Sequence, residues 1–238
     1  MNSKTFFSEI EHKKIEETIR RVETKTSGEV VAMITNQSED YIEIDVMISF
    51  VVALIFSLLT LYFLPDILYL INTSIITKII SLPYQFKDMF RYVLLYGVYF
   101  FIPLCIFYIV LVKLFLSKFP MIKGILVSKF NKSEAVRNRA LRAFYEHGLY
   151  NTRDKTGILF LISLIEKQVY ILADKGIYEK ITQENLDKYA EIVVSGIKQK
   201  KASEALCTAI SSCGEILEKN FPIKSDDTNE LSNHVIIE

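Results

Sequence analysis

The stretch GILFLISLIEKQVYILA, residues 157–173, decides the fold of this chain. Gly157–Leu164 is almost entirely apolar, which is typical of a strand covered on both faces. A short connection, Ile165-Glu166-Lys167, leads to the β-rich run Gln168–Ala173, so the two runs are predicted to form a hairpin.

Amphipathic helices are predicted on either side of this hairpin. Ser133–His147 has an apolar face and is closed by Gly148, and helices over Thr182–Ile197 and Lys201–Asn220 follow the hairpin. One face of the last helix carries four apolar or thiol side chains, namely Leu206, Ile210, Cys213 and Leu217. Its cysteines are therefore interpreted as core or half-buried thiols rather than metal ligands.

The N-terminal segment repeats the pattern of helix followed by strand. Ser8 and Glu11 form a capping box, which predicts a helix start. Apolar residues then recur at helical spacing, at Ile15, Ile19 and Val22. Ser27-Gly28 ends the helix, and the β-branched run Glu29–Thr35 is predicted to be a strand.

Neither polar segment is expected to fold alone. About 45 residues of helix and strand cannot bury a core, and the second segment lacks a partner strand for its sheet. The economical solution is one α/β sandwich built from residues 1–44 and 130–223, with a disordered polar tail over residues 224–238.

Two apolar runs between these segments predict a transmembrane hairpin within residues 45–112. The first, residues 47–64, has 18 residues without a charge, and the second, residues 92–112, has 21. A helix of 18 residues is ~27 Å long, close to the ~30 Å hydrocarbon core of a bilayer. Soluble core helices rarely stay apolar all round over such lengths, which favours two membrane spans over buried helices.

Basic residues predict the orientation of this hairpin. The segment between the spans carries Lys78, Lys87 and Arg91, whereas eight basic residues follow the second span and only one acid, Glu134, lies among them: Lys113, Lys118, Lys123, Lys129, Lys132, Arg137, Arg139 and Arg142. The positive-inside rule therefore places both termini in the cytoplasm of a multi-pass membrane protein. Residues 113–129 form a basic connector in which Lys118, Lys123 and Lys129, with the following Lys132, are candidates to bind anionic lipid headgroups; a plain juxtamembrane connector is the open alternative.

The overall composition excludes several other classes of protein. The chain has 238 residues, with 28 basic and 28 acidic side chains, so its zero net charge argues against nucleic-acid binding. Half of the residues are hydrophobic and 24% are charged, which excludes global disorder. Three scattered cysteines are too few for a disulfide framework.

The pattern after the second span resembles the TPM domain family, and more narrowly its bacterial membrane subfamily with a transmembrane hairpin inserted in the domain. The similarity also includes Ser27-Gly28-Glu29-Val30-Val31 and Ser38-Glu39-Asp40-Tyr41 before the first span. The positions that carry it run from Val136, Ala140, Phe144, Gly148-Leu149, Thr152 and Thr156-Gly157-Ile158-Leu159 through Ile162-Ser163-Leu164 and Glu166 to Val169, Ile171, Asp174 and Gly176-Ile177.

The resemblance implies a fold more specifically than it implies a chemistry. It implies a three-layer α/β/α sandwich around a small mixed sheet, interrupted here by the two-helix transmembrane hairpin, and a location in the cell (inner) membrane. Family roles range from an acid phosphatase to factors that assist membrane complexes. The resemblance therefore leaves the function of this chain open.

Four acidic residues are candidate ligands for a hard cation, Ca²⁺ or Mg²⁺. Asp154 precedes the first strand of the hairpin and Asp174 follows the second, so an antiparallel pair brings them to one end of the sheet. Glu39 and Asp40, after the N-terminal strand, complete this cluster if that strand points the same way. Ordinary turn chemistry explains aspartates at these positions equally simply.

The sequence favours a non-catalytic function. It has no nucleophile elbow, no phosphate-binding loop, no zinc-protease motif and no kinase motif set. We therefore expect an integral membrane protein that is an accessory or scaffolding factor for a membrane complex, with the bilayer and a membrane protein as partners. The alternative is a weak, metal-assisted, acid-phosphatase-like hydrolase that uses Asp154 and Asp174.

Overall fold

The chain divides into two compact units. The structure, a computed structural model, describes residues 2–72, 86–118, 127–224, 226 and 228–238. Residues 1–40 and 127–238 form one unit, here called the α/β unit, and residues 41–126 form the other, here called the helix pair.

The α/β unit contains a four-stranded mixed sheet in the order β3-β2-β1-β4. Its strands are β1 (Glu29–Thr35), β2 (Gly157–Ser163), β3 (Gln168–Ala173) and β4 (Ile236–Ile237). β1 pairs in parallel with both β2 and β4, whereas β2 and β3 are antiparallel. The predicted hairpin is confirmed, and the N-terminal strand joins it as the parallel neighbour of β2.

The described residues of this unit form five α-helices: α1 (Glu9–Glu23), α4 (Lys129–Glu146), α5 (Lys175–Tyr178), α6 (Gln183–Lys198) and α7 (Ala202–Asn220). The capping box at Ser8 and Glu11 starts α1 as predicted. α4 begins at Lys129 rather than Ser133, because the Ser128 side chain caps it by accepting a hydrogen bond from the Asn131 amide at 3.3 Å.

Alternating side chains of the sheet separate two apolar cores. Val30, Ile158 and Phe160 face a core that also contains side chains of α1, α6 and α7, whereas Val31 and Leu159 face a smaller core completed by α4. Helices thus cover both faces, which confirms the α/β/α sandwich. Cys207 and Cys213 are buried thiols, and burial raises the pKa of Cys213 to about 12.

The prediction of a disordered tail over residues 224–238 is wrong where the chain ends. Ile236 and Ile237 pair with Met33 and Ile34 of β1, and Val235 is buried. The strand is too short to produce an alternating pattern, so the polar residues before it dominated the sequence signal.

The helix pair consists of α2 (Ile42–Asn72) and α3 (Phe86–Lys118), and α3 continues through Pro103. Among the described side chains of this pair, Ser57 Oγ lies 3.1 Å from Cys105 Sγ, and Thr60 Oγ1 lies 3.0 Å from the Tyr108 hydroxyl. Both helices contain stretches long and apolar enough to cross a membrane, Ile42–Thr60 and Phe101–Lys118.

Candidate functional site

Asp154 and Asp174 lie at the same end of the sheet. The turn that enters β2 abuts the turn that leaves β3, since the Asp174 amide donates to Gly157 O at 2.9 Å and the Gly176 amide donates to Lys155 O at 3.1 Å. A Cβ atom at Gly176 would lie 2.6 Å from Lys155 O, so only glycine permits this approach. Antiparallel pairing therefore brings the two candidate segments together, as expected.

The carboxylates of this pair are engaged in local structure. Both oxygens of Asp154 accept hydrogen bonds from Lys224 Nζ at 2.7 Å. Asp174 Oδ1 caps the short helix α5 by accepting from the Lys175 amide at 2.7 Å. Asp174 Oδ2 is buried, and the described residues give it no hydrogen-bond partner.

The donors at this end of the sheet do not fit a calcium or magnesium site as they lie. Ca²⁺ takes about six to eight oxygen ligands and Mg²⁺ about six, whereas Lys224 already neutralises Asp154. Within the part of the chain that the structure describes, ligand atoms of three candidate residues converge within 4.8 Å at Glu146, His147 and Glu238, and not around Asp154 and Asp174.

Glu39 and Asp40 do not join the other two acids. Because β1 runs parallel to β2, residues that follow β1 lie at the opposite end of the sheet from the turn before β2. The Asp40 carboxylate accepts a hydrogen bond from Gln37 Nε2 at 2.7 Å instead. The condition for a four-acid cluster, a shared strand direction at one end, is not met.

That opposite end of the sheet contains a buried ring of hydrogen bonds, here called the serine–glutamate ring. The Ser38 hydroxyl donates to Ser163 Oγ at 2.8 Å, the Ser163 hydroxyl donates to Glu166 Oε2, and the Ser38 amide donates to Glu166 Oε1 at 3.1 Å. All three side chains are less than 5% exposed.

The serine–glutamate ring joins the segment after β1, the end of β2 and the turn between β2 and β3, and its side chains are closed to a substrate. The guanidinium of Arg142, on α4, adds a bond to the Ser38 carbonyl oxygen at 3.0 Å. A nucleophile must reach its substrate, and Ser163 is only 1% exposed. The ring therefore fixes the chain where it leaves β1, and it is not a hydrolytic centre.

A second polar contact joins the buried Arg139 of α4 to two exposed carboxylates. Its guanidinium donates through Nη2 and Nε to the Glu238 carboxylate, the Nε bond being 3.1 Å, and through Nη1 to Glu146 at 2.9 Å. Burial alone would lower the pKa of Arg139, but these hydrogen bonds raise it. Both carboxylates of the Glu146–His147–Glu238 group are thus already paired with one arginine.

A pair of acids, the half-buried Glu23 and the buried Glu29, lies where α1 leads into β1. Glu23 accepts hydrogen bonds from the Val30 amide at 3.1 Å and from the Asn233 side-chain amide, and Glu29 accepts from the Glu230 amide at 3.1 Å. Burial raises the pKa of Glu23 to about 8, and the neighbouring Glu29 carboxylate adds to the increase.

The candidate lipid-binding lysines are described only in part. Lys118 is exposed at the end of α3, and Lys132 is half-buried in the first turns of α4. Lys123 and the side chain of Lys129 lie outside what the structure describes. Headgroup binding by these four residues stays a prediction.

Comparison with known proteins supports the fold of the α/β unit. Residues 122–216, from the connector before α4 to α7, match the family model of the TPM domain. This part of the chain is a TPM domain. The match includes β2 and β3 and the helices around them. β1, which precedes the helix pair in sequence, completes the sheet of the TPM domain.

The TPM domain also has structural neighbours among solved proteins. The chain is similar to the BA42 protein from the psychrophilic bacterium Bizionia argentinensis, solved by NMR, with 19% identity, a TM-score of 0.53 and coverage of 97% of this chain and 94% of that chain. The NMR structure of the N-terminal domain of a P. gingivalis protein matches with 14% identity, a TM-score of 0.32 and coverage of 35% of this chain and 54% of that one. The first similarity supports the fold alone. No curated protein matches the chain.

Sequence reasoning missed the roles of the buried polar residues. Ser163 and Glu166 stand in the motif that carries the family resemblance, but their partner Ser38 is more than a hundred residues away in sequence. One signal was available: Glu166 is an acid in a short connection between two apolar strands, where a charge must find a partner if it is buried.

Proposed function

We propose that this chain is an integral membrane protein that crosses the bilayer twice, and that its TPM domain is a non-catalytic accessory factor for a membrane protein complex. The observation that carries the membrane placement is the exposure of the apolar helices. Only 17% of an 18-residue stretch of the first apolar helix and 6% of Phe101–Lys118 are buried. Large side chains such as Phe50 and Phe107, each 59% exposed, need an apolar surrounding that lipid provides.

The sheet constrains the number of crossings. β1 precedes the helix pair in sequence and β2 follows it, yet the two strands pair in parallel over seven residues. Two crossings return the chain to the side from which it left, whereas one crossing would separate the strands. The basic residues after the second span favour the cytoplasmic face of the cell membrane for the TPM domain.

The accessory role is supported by the way in which the acidic and hydroxyl groups are used. Asp154 pairs with Lys224, Asp174 caps a helix, and Ser163 is buried in the serine–glutamate ring. Side chains that hold loops and strand ends together make a rigid platform, which suits binding of another protein more than turnover of a substrate.

The phosphatase alternative requires a rearrangement at Asp154. Lys224 has to leave the carboxylate before a cation can take its place, and further oxygen ligands have to come from outside the Asp154–Asp174 pair. Metal-dependent turnover that needs both aspartates would favour this alternative over the accessory role.

The accessory role is tested by capturing the complex in its native membrane. Tagged full-length protein is crosslinked in cells, extracted in mild detergent and purified, beside an unrelated tagged protein with two spans. We expect a membrane protein recovered in constant stoichiometry with this chain and absent from the control. Recovery of the chain alone, at every crosslinker concentration, would contradict the proposal.

A further inference from the structure

The last residues of the chain form a strand that is added to the edge of a sheet. β4 pairs only Ile236 and Ile237 with β1, and the contact continues as the Glu238 amide donates to Ile34 O at 2.9 Å and the Asn36 amide donates to Glu238 O at 3.2 Å. Without β4, β1 would be an edge strand with unpaired backbone groups, which is a template for an incoming strand.

The added strand contacts the side chain of Arg139 as well as the backbone of β1. Arg139, only 8% exposed, directs Nε and Nη2 to the two oxygens of Glu238. Bidentate contact between a guanidinium and a carboxylate specifies both the charge and the geometry of the acceptor. The edge of β1 and Arg139 together therefore recognise an extended segment with an acid directly after the two paired residues.

The chain's own strand is held by a small apolar contact. Val235 is buried and Ile236 packs against the smaller core, but Ile237 is 39% exposed. Between α7 and β4, the described residues of 221–233 contain neither helix nor strand. A strand with so little buried surface depends largely on its own hydrogen bonds and on the residues before it, which are held by contacts of Glu230 with Glu29 and of Asn233 with Glu23.

The opposite edge of the sheet is closed differently. The Ala173 amide of β3 donates to the Tyr178 hydroxyl at 3.4 Å, and the Ile171 carbonyl oxygen accepts from Gln183 Nε2 at 3.4 Å. Side chains of the following helices thus satisfy backbone groups of β3. At β1, in contrast, a short separate strand satisfies them.

We propose that the edge of β1 is a strand-addition site for an extended segment of a partner protein, and that residues 234–238 occupy it in cis until the partner displaces them. The proposal rests on the accessory function above and names the chemistry of the partner: two consecutive β-branched apolar residues followed by an acid. Backbone hydrogen bonds to β1 hold such a segment, and Arg139 selects its carboxylate.

A peptide exchange experiment on the full-length protein in detergent tests this site. The probe is the peptide LSNHVIIE, equal to residues 231–238, with an N-terminal fluorophore and an amidated C-terminus so that its glutamate is the only carboxylate. Fluorescence anisotropy measures binding to the wild-type protein and to Glu238→Gln, which weakens only the cis strand. We expect the variant to bind the probe about tenfold or more tightly than the wild type, because a hydrogen-bonded charge contact in cis is lost.

Arg139 supplies the specific control. In Glu238→Gln combined with Arg139→Gln the gain should disappear, whereas Glu238→Gln combined with Arg137→Gln, an exposed arginine on the same helix, should keep it. A probe that ends in glutamine should bind the Glu238→Gln protein about tenfold less tightly. Equal affinities across these proteins, or no binding to any of them, would overturn the proposal.

A photocrosslinking version removes dependence on the stability of the variants. A probe with a photoreactive residue in place of the first isoleucine should crosslink to β1 of the wild-type protein, and crosslinks confined to other segments would contradict the site. The two proposals fail separately. Probe binding at β1 without a captured membrane partner rejects the accessory function, whereas a captured partner whose crosslinks avoid β1 rejects the strand-addition site.

Discussion

The hydroxyl group of Ser38 lies 2.8 Å from that of Ser163, and this hydrogen bond joins the segment after β1 to the last residue of β2. The two residues stand on opposite sides of the helix pair in sequence. The bond is buried and is closed into a ring by Glu166. The exit of the chain from β1 is therefore fixed by polar contacts that only the folded TPM domain brings together.

Removing the Ser163 hydroxyl should destabilise the TPM domain. Ser163→Ala leaves Ser38 Oγ without its acceptor and takes one donor from Glu166 in a buried setting, which costs about 1–3 kcal/mol. The apparent Tm of the full-length protein in detergent measures the loss. Ser211→Ala, at an exposed site on α7, is the matched control and should change stability by less than about 0.5 kcal/mol. Equal effects of the two substitutions on the apparent Tm would show that the serine–glutamate ring contributes nothing to stability.

Contact between α6 and α7 should depend on the missing side chain of Gly196. A Cβ atom there would lie 2.1 Å from Ala205 Cβ, so Gly196→Ala overpacks the interface and should cost about 1–3 kcal/mol. In an Ala205→Gly background the same substitution should cost at least about 1 kcal/mol less. Chemical denaturation of the four proteins provides the cycle, and strictly additive effects would contradict this packing.

Stability should fall with rising pH because of Glu23. Its pKa is about 8 in the folded protein against 4.5 ordinarily, so between these values the folded state holds a proton that the unfolded chain has released. The destabilisation grows from about pH 4.5 and levels off above about pH 8. Glu23→Gln should gain stability relative to the wild type across this window, on the order of 2 kcal/mol.

Thermal unfolding at a series of pH values measures that difference. Glu17→Gln, an exposed change on the same helix, is the control and should follow the wild-type curve. Parallel curves for Glu23→Gln and the wild type would reject the raised pKa.

We expect no phosphatase turnover that depends on Asp154, which precedes β2, or on Asp174, which follows β3. Full-length protein with an aryl phosphate should release no phosphate above background, with or without Ca²⁺ or Mg²⁺. Asp154→Asn should lose its surface ion pairs with Lys224 and Arg153, each worth about 0–1 kcal/mol. Metal-dependent turnover that disappears in both Asp154→Asn and Asp174→Asn would instead establish the enzyme.

Local signals predicted much of the fold. Each strand from β1 to β3 is an apolar or β-branched run, and the capping box at Ser8 fixed the start of α1. β4 was missed because two residues carry no period, and their pairing depends on an edge supplied by β1.

The candidate site was less accessible to sequence reasoning. Periodicity cannot tell a parallel from an antiparallel neighbour, so it could not show that Asp40 lies at the opposite end of the sheet from Asp154. The contacts of Ser38 with Glu166 and of Arg139 with Glu238 span long stretches of chain and exist only after folding. Sequence spacing carries no information about such pairs.

A measurement of membrane topology directly tests whether the chain crosses the bilayer twice. In a background without Cys105, Cys207 and Cys213, single cysteines replace Glu9 of α1, Ser81 between the two apolar helices, and Lys198 of α6. A membrane-impermeant maleimide is applied to intact cells and to inverted membrane vesicles. Two crossings with a cytoplasmic TPM domain predict labelling at residue 81 only from outside the cell, and labelling at residues 9 and 198 only in inverted vesicles. Labelling of all three positions from the same face would contradict two crossings of the membrane.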